Sequence, residues 1–374
     1  MKFIKCKLSE LGEIVGGSTP FTKNESYYGG DIPWLTPKDL ANFNGRYINF
    51  GERNITEAGY KSTSVKMLPI NSVLFSSRAP IGYVAINNKN EVCTNQGFKS
   101  VIPNLKTDYM FLYYLLKYNK NKIEAMGSGT TFKEVSGTVM KNIIVNVPEA
   151  KEDQIKIGKI LSKIDDKIEL NTHTNDNLLK IGLELLKEDF NKKTEYEVLS
   201  NAIKFVKGKK PLDITPEIKE RYKKYLTIAC LNGQELNYAD PTKIVLSNND
   251  LLMVMDGASS GDVYYAGQGI VGSTLSRIDC IDGNYISEFI YFIMKYYKDL
   301  IQSKNTGSAI PHTDKVFVGN LKVPKLLIEE QEKYKTLLYK ILKNMNENKI
   351  LEQLRDTLLP KLMSGEIELD KIEI

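Results

Sequence analysis

The sequence has few of the residue types on which most metal and catalytic centres depend. Its 374 residues include four cysteines and two histidines. No two cysteines form a C-x-x-C pair, which argues against a zinc site and against a disulfide framework. His173 lies on the polar part of a predicted helix, so we do not expect it to share a site with His312. We therefore expect no metal site and no catalytic residue.

Long hydrophobic runs are also missing. No run of eighteen apolar residues occurs, and the first residues, MKFIKCKLSELGE, do not resemble a signal peptide. We therefore expect a cytoplasmic protein without membrane contact. The sequence also lacks the G-x-x-x-x-G-K-[ST] phosphate loop, which argues against an ATP motor. The length is sufficient for two or three domains with their own cores.

A long amphipathic stretch, in contrast, occurs twice. Residues 151–190 carry apolar residues at alternating four- and three-residue steps, which is the period of a coiled-coil helix. Residues 328–363 repeat the pattern 177 positions later, and both copies become polar at the same depth. We predict that the two helices pair through Leu161, Ile164, Ile168, Asn171 and Leu178 of the first and Leu338, Ile341, Met345, Asn348 and Leu359 of the second.

The segments before each helix are duplicated as well. LSELGEIVGGSTP at 8–20 aligns with LSNAIKFVKGKKP at 199–211, and the apolar DYMFLYYLLKY at 108–118 aligns with ISEFIYFIMKY at 286–296. Leu8, Leu11 and Ile14 suggest a short turn of helix, whereas SVLFS at 72–76 suggests a strand. Residues 108–125 are predicted to form one helix.

This order predicts an α+β protein with an internal pseudo-two-fold repeat. Two similar globular domains would be separated by two long antiparallel helices that form a coiled coil. The predicted boundaries are 1–148 for the first domain, 149–194 for the first spacer helix, 195–324 for the second domain, and 325–374 for the second helix and the C-terminal tail.

Charge is distributed unequally between the two predicted domains. Residues 1–150 carry 18 basic and 12 acidic side chains, whereas residues 195–324 carry 15 of each. The first domain is thus mildly basic, which fits a polyanionic partner without requiring one. The neutral second domain weakens any claim that this chain alone binds DNA strongly.

An ordered set of motifs resembles the specificity (S) subunits of type I restriction–modification systems. The resemblance covers essentially the whole chain and is specific because the motifs are duplicated in order. They are LSELGEIVGGSTP, SSRAPIGYVAI at 76–86, TNQGF at 94–98, GSGTTF at 127–132, PEAKEDQIKIGKILSKIDDKIE at 148–169, MDGASSGDVYYAG at 255–267, GST at 272–274, NTGSAIPH at 305–312, PKLLIEEQ at 324–331 and LRDTLLPKLMSGEI at 354–367.

The resemblance implies a non-catalytic DNA-recognition subunit. Each domain, a target-recognition domain, would read one half of a bipartite, asymmetric site on double-stranded DNA. The helices would set the spacing of the half-sites and dock two methyltransferase (M) subunits, with two restriction (R) subunits as further candidate partners. The N-P-P-[YF]-like tetrad of such methyltransferases does not occur here. We therefore expect S-adenosylmethionine, ATP and Mg only in the partner subunits.

Candidate DNA contacts lie in the predicted loops, and each has a simpler alternative. Arg78 suits a bidentate contact to guanine, but it could instead be an exposed loop arginine or a phosphate contact that positions without specifying. Asn95 and Gln96 suit adenine, but they could instead form a polar turn that bonds its own backbone. The predicted DNA-contacting residues are Ser77, Arg78, Asn95, Gln96, Ser128, Thr130, Thr131, Lys133, Lys209, Lys210, Ser259, Ser260, Ser273, Thr274, Ser308, His312 and Thr313.

Two other functions remain open at this point. A coiled-coil scaffold with protein-binding globular ends would show no sequence-selective DNA binding. An independent DNA-modifying enzyme is disfavoured because its catalytic motifs are missing from the sequence.

Overall fold

The computed structural model of the chain describes residues 1–41, 43, 45–129, 133–242, 244–281, 283–307 and 310–367. The chain forms two compact units. Unit 1 comprises Met1–Leu170 and the described residues from Glu347 onward, and unit 2 comprises Asn171–Asn346. Each unit therefore includes one part of each long helix.

The first part of the chain contains strands and short helices, followed by the first long helix. Three 3₁₀ segments lie at Leu8–Glu10, Glu25–Tyr27 and Pro37–Leu40. The strands are β1 (Phe3–Lys7), β2 (Gly12–Gly16), β3 (Tyr28–Ile32), β4 (Trp34–Leu35), β5 (Val73–Ser77), β6 (Ile81–Ile86), β7 (Cys93–Thr94), β8 (Lys99–Pro103) and β9 (Ile144–Pro148). The helices are α1 (Glu57–Lys61), α2 (Tyr109–Tyr118), α3 (Lys120–Ala125), α4 (Gly137–Asn142) and α5 (Lys151–Lys192).

The rest of the chain follows a similar order and ends in the second long helix. Its strands are β10 (Tyr196–Val198), β11 (Ile203–Lys207), β12 (Ile214–Thr215), β13 (Lys223–Leu226), β14 (Tyr238–Ala239), β15 (Leu246–Ser247), β16 (Leu251–Val254), β17 (Val263–Tyr265), β18 (Gly269–Val271), β19 (Leu275–Cys280) and β20 (Lys322–Pro324). Its helices are α6 (Leu199–Ala202), α7 (Ile228–Leu231), α8 (Ser287–Tyr296), α9 (Lys298–Ser303), α10 (Lys315–Gly319) and α11 (Ile328–Ser364).

Unit 1 is built on an antiparallel sheet in the order β2–β8–β5–β6. Helix α2 packs on this sheet and is capped at its N-terminus by Asp108, whose carboxylate accepts a hydrogen bond from the Phe111 amide at 2.8 Å. Because Phe111–Leu116 are all buried, this helix supplies much of the core. The single helix predicted over 108–125 is in fact two, α2 and α3, separated at Asn119.

The long helix α5 is attached to unit 1 by Gln154. Its Oε1 accepts a hydrogen bond from the Asp108 amide at 3.0 Å, and its Nε2 donates to the Pro148 carbonyl at 3.1 Å. Leu161, near the start of α5, lies in the same core as Leu362 and Met363, near the end of α11. The two helices therefore run antiparallel within this unit.

A buried polar network also connects α5 to its surroundings in unit 1. The Asp165 carboxylate accepts hydrogen bonds from the Tyr114 hydroxyl at 2.5 Å and from Arg355 at 2.9 Å. Arg46, which is 2% exposed, pairs with Asp166 and donates to the Ser162 carbonyl. Burial, together with the neighbouring Asp165 carboxylate, raises the pKa of Tyr114, so its hydroxyl remains a hydrogen-bond donor.

Unit 2 uses the same construction with other side chains. Its sheet has the order β11–β19–β16–β17, and Gln331 repeats the role of Gln154. The Gln331 Oε1 accepts from the Ile286 amide at 2.9 Å, and Nε2 donates to the Leu326 carbonyl at 3.0 Å. Leu186 of α5 shares a core with Leu338 of α11, so the helices are again antiparallel.

Two local predictions are wrong. Ile14 lies in strand β2 and not in a turn of helix, since β2 pairs with β8 along its whole length. Met345, predicted to lie between the helices, is 48% exposed. At this level the side chain of Asn344 faces α5 instead, and it donates to the Asn175 Oδ1 at 2.9 Å.

Within the described residues, none of the helices is both long and apolar enough to cross a membrane. The same residues contain no group of three or more His, Cys, Asp or Glu side chains that could hold a metal ion.

Candidate nucleic-acid interface

Four loops of unit 1 meet at one end of its main sheet, where strands begin and end. Strand β2 ends there, β5 also ends there, and β8 begins there, because Gly16 pairs with Lys99 and Ser76 bridges to Phe98. We call the residues that these loops present the unit 1 loop cluster. It comprises Thr19, Arg78, Asn95, Gln96, Lys99, Ser128, Lys133 and Glu134.

Glu134 lies at the centre of the unit 1 loop cluster. Its carboxylate contacts the Arg78 guanidinium at 3.4 Å and the Lys99 ammonium at 3.2 Å. The backbone of Glu134 is held by two hydrogen bonds with Ser128, at 3.0 and 2.9 Å. The carboxylate thus joins Arg78, which follows β5, to Lys99 at the start of β8, while the Arg78 side chain stays 34% exposed.

The turn at residues 95–97 places one amide side chain inward and one outward. Asn95 is half-buried, and its Oδ1 accepts a hydrogen bond from the Gly97 amide at 2.8 Å, as the polar-turn alternative described. Gln96 is exposed and accepts a hydrogen bond from the Thr19 hydroxyl. Gln96 is therefore better placed than Asn95 to meet a ligand.

Gly17 allows the loop that follows β2 to pass close to the turn at residues 95–97. A Cβ atom at this position would lie 2.1 Å from the Thr94 carbonyl oxygen, which is closer than any packing permits. Gly208 has the same role in unit 2, where a Cβ would lie 2.1 Å from the Gly272 oxygen. Both glycines are needed for close backbone approach.

Some predicted contact residues of unit 1 are not available at the surface. Ser77 is fully buried, and its hydroxyl donates to the Gly97 carbonyl at 3.1 Å, so its prediction as a contact is wrong for this structure. Ser128 and Lys133 are exposed. Thr130 and Thr131 lie outside the described residues.

A second loop cluster in unit 2 is held by the same pattern of backbone hydrogen bonds, which we call the backbone frame. In unit 1 the Ser77 amide donates to Gly97 and the Val135 amide donates to the Ser77 carbonyl. In unit 2 the Met255 amide donates to Thr274 at 2.8 Å, and the Thr313 amide donates to the Met255 carbonyl at 2.8 Å. The backbone pair of Ser128 with Glu134 likewise recurs as Thr306 with His312. We call Lys209, Lys210, Asp256, Ser259, Ser273, Thr274 and His312 the unit 2 loop cluster.

The side chains at the equivalent positions differ between the units. Asp256 occupies the place of Arg78, and His312 occupies that of Glu134. The His312 Nδ1 lies 2.7 Å from the Asp256 Oδ1, and the two side chains are 51% and 30% exposed. One frame therefore presents an arginine with an acidic partner in unit 1, and an aspartate with a histidine partner in unit 2.

Other predicted contacts in unit 2 divide into exposed and buried groups. Lys209 and Lys210 are exposed, whereas Ser259, Ser273 and Thr274 are half-buried. Ser260 and Thr313 are buried, and their hydroxyls donate to the carbonyls of Pro311 and Val254, both at 2.8 Å. Their prediction as contacts is therefore wrong for this structure, because both hydroxyls hold the loops. Ser308 lies outside the described residues.

Glu134 and Lys99 were not predicted from the sequence. The signal for Glu134 was available, because the repeat offset of 178 that aligns Val73 with Leu251 also aligns Glu134 with His312. In the strand register Lys99, which pairs with Gly16, corresponds to Ser276, which pairs with Lys207. Ser276 is buried, so this correspondence gives no indication of the role of Lys99.

Comparison with known proteins defines the class to which this chain belongs. Residues 2–180 match the family of the type I restriction modification DNA specificity domain. The type I restriction enzyme MjaIX specificity subunit of Methanocaldococcus jannaschii is 32% identical, over 98% of this chain and 94% of that protein. The MjaVIII specificity subunit of the same organism is 29% identical over 37% of this chain and 34% of that protein.

A solved structure has the same fold. The crystal structure of the type I restriction–modification S subunit from M. genitalium is similar with a TM-score of 0.59 and 19% identity, and the match covers 97% of this chain and 96% of that chain. The chain belongs to the specificity subunits of type I restriction–modification systems. The predicted family is thereby confirmed, and with it the role of a DNA-recognition subunit that is not itself an enzyme.

Proposed function

We propose that each unit carries one target-recognition domain, over residues 1–148 and 195–324, and that each domain reads one half of a bipartite, asymmetric DNA site. The observation that carries this proposal is the repeated backbone frame, which holds different side chains at its equivalent positions. Equal frames would present two reading surfaces of the same kind to the duplex. Unequal side chains would make the two half-sites different in sequence.

Within each domain, the exposed members of the loop clusters are the proposed DNA contacts. Arg78 and Gln96 offer hydrogen bonds to base edges. Lys133, Lys209 and Lys210 are suited to phosphates, which position the protein without specifying sequence. Supporting polar contacts are proposed for two exposed residues, Ser128 and His312, and for four half-buried ones, Asn95, Ser259, Ser273 and Thr274.

The two long helices are proposed to form an antiparallel coiled-coil spacer, comprising residues 149–194 and 325–374 with the C-terminal tail. Two recognition domains that read the same face of a duplex must lie about one helical turn of DNA apart, ~34–36 Å. Support for pairing comes from contacts inside each unit, such as the Asn175 Nδ2 donating to the Ile341 carbonyl at 3.3 Å. A fixed helix pair would fix the gap between the half-sites.

The outer faces of the helices are proposed to dock two methyltransferase subunits, to which two restriction subunits would join. Tyr339 and Ile350 of α11 are 67% and 58% exposed, although both are apolar enough to favour burial in an interface. S-adenosylmethionine, ATP and Mg would bind to these partners and not to this chain. Such a complex would act on DNA in the cytoplasm.

An insertion tests the spacer directly. Four residues added to α5 near Asn171 should change the gap between the half-sites and leave the bases of each half-site unchanged. Sequencing of methylated positions in the genome of a strain that carries the insertion measures both quantities. A matched insertion after Gly233, in an exposed turn of unit 2, should leave the gap unchanged. Altered base identities with an unchanged gap would contradict the proposed role of the helices.

A further inference from the structure

We propose that positions 78 and 256 determine which bases the two half-sites contain, and that Glu134 and His312 are their positioning residues. Unit 1 would recognise a base edge rich in acceptors through Arg78. Unit 2 would recognise an amino donor through Asp256. This inference rests on the proposed function, because it names the base chemistry that each recognition domain selects.

In unit 1 the geometry leaves the arginine able to read a base. Its guanidinium contacts Glu134 through Nη1 at 3.4 Å, and the group has five N–H donors in all. Donors therefore remain for a two-point contact to the O6 and N7 acceptors of guanine. The contact to Glu134 fixes the direction of a side chain that would otherwise sample many rotamers.

In unit 2 the equivalent residue is Asp256, whose carboxylate has only hydrogen-bond acceptors when it is ionised. One oxygen of Asp256 contacts the His312 Nδ1 at 2.7 Å, while its second oxygen can accept a hydrogen bond from the amino group of cytosine or adenine. Guanine presents only acceptors at the O6 and N7 of its major-groove edge. Asp256 would therefore reject the base that Arg78 selects.

The side-chain pairs Arg78–Glu134 and Asp256–His312 are poor candidates for a purely structural role. Backbone hydrogen bonds already hold both loops, between Ser128 and Glu134 in unit 1 and between Thr306 and His312 in unit 2. All four paired side chains are about one third exposed or more, and ion pairs at such positions contribute little to stability. What the two pairs have in common is that each holds a polar group at the surface where the loops of its unit converge.

The test uses the complete complex with its methyltransferase subunits and a library of DNA duplexes that vary one half-site at a time. Arg78→Lys removes the planar fork but keeps the charge, and it should relax one base position of the first half-site by roughly tenfold or more. Asp256→Asn should relax one position of the second half-site to a similar extent. Each variant should leave the other half-site unchanged.

Base preference in variants of Glu134 tests its role as a positioning residue. Glu134→Ala should relax the same position as Arg78→Lys, whereas Glu134→Gln, which keeps an oxygen acceptor, should relax it less. The double variant Arg78→Asp with Glu134→His transfers the unit 2 pair into unit 1, and it should change the preferred base at that position. Lys61→Ala is the matched control, since Lys61 forms an exposed ion pair with Glu57 at 3.0 Å on α1, outside the loop cluster.

Two results would overturn the inference. One is a uniform loss of methylation across all duplexes, which would make Arg78 and Asp256 phosphate or structural contacts. The other is an unchanged base preference in every variant, including the double variant. A wild-type complex that selects no bipartite site at all would instead contradict the proposed function, so the two failures are distinguishable.

Discussion

The two units use the same scaffold, but they differ in where they place charge. Both attach a long helix through one buried glutamine, and both hold their loops by the same backbone hydrogen bonds. Unit 1 then adds the partly buried Asp165–Arg355 pair, whereas the repeat places Leu342 and Leu178 at the equivalent positions in unit 2, both packed against its core. The common parts set the backbone, and the differing parts set what each unit can bind and how it is stabilised.

The largest expected effect concerns the buried network of unit 1. Asp165→Leu would leave the Tyr114 hydroxyl without its acceptor and Arg355 with only the largely exposed Asp356, at a cost of about 3 kcal/mol of the free energy of unfolding. The triple variant Tyr114→Phe, Asp165→Leu and Arg355→Leu copies unit 2, where Phe292 takes the place of Tyr114. It should return to within about 1 kcal/mol of the wild type, because well-packed apolar groups replace a buried ion pair with little loss.

Urea titration followed by circular dichroism measures these differences. Asp356→Asn is the control, because Asp356 also contacts Arg355 but is largely exposed, and it should change the free energy of unfolding by less than about 0.5 kcal/mol. If Asp165→Leu unfolded at the same urea concentration as the wild type, the polar network would not stabilise unit 1.

A smaller effect should be equal in the two units. Gly17→Ala and Gly208→Ala each force a Cβ against a backbone carbonyl oxygen, which should cost about 1–3 kcal/mol of the free energy of unfolding in either unit. Gly137→Ala is the control, since no atom lies within 4 Å of its added Cβ. Hydrogen exchange followed by mass spectrometry assigns the loss to one unit or the other. A loss in only one unit would show that the frames are not equivalent.

The smallest effect is expected from the side-chain pairs of the two loop clusters. Glu134→Gln and His312→Gln should change the free energy of unfolding by less than about 1 kcal/mol, because both pairs are partly exposed and screened by water. The same variants should nevertheless alter base preference. A thermal unfolding scan beside the duplex assay separates the two quantities, and a large fall in stability would mark the pairs as structural.

The long helices were predictable from sequence, whereas the site was predictable only in part. Periodicity over 151–190 is local information, and α5 spans Lys151–Lys192. The spacing of Leu8, Leu11 and Ile14 predicts a turn of helix, and this is wrong for Ile14. Its pairing with β8 joins residues about ninety positions apart, which a local pattern does not record. The contact of Glu134 with Arg78 spans 56 positions, so no local pattern indicates it, and only the alignment of Glu134 with His312 in the repeat points to this residue. Ser77, Ser260 and Thr313 have residue types suited to DNA contact, but burial commits their hydroxyls to the loops.

A domain exchange tests the central claim most directly. Residues 1–148 would be replaced by the aligned segment of the MjaIX specificity subunit, and the methylated bases would then be mapped by sequencing. We expect one half-site to change, while the other half-site and the gap between them stay as in the wild type. A change in both half-sites, or in neither, would contradict the claim that each unit reads its own half of the site.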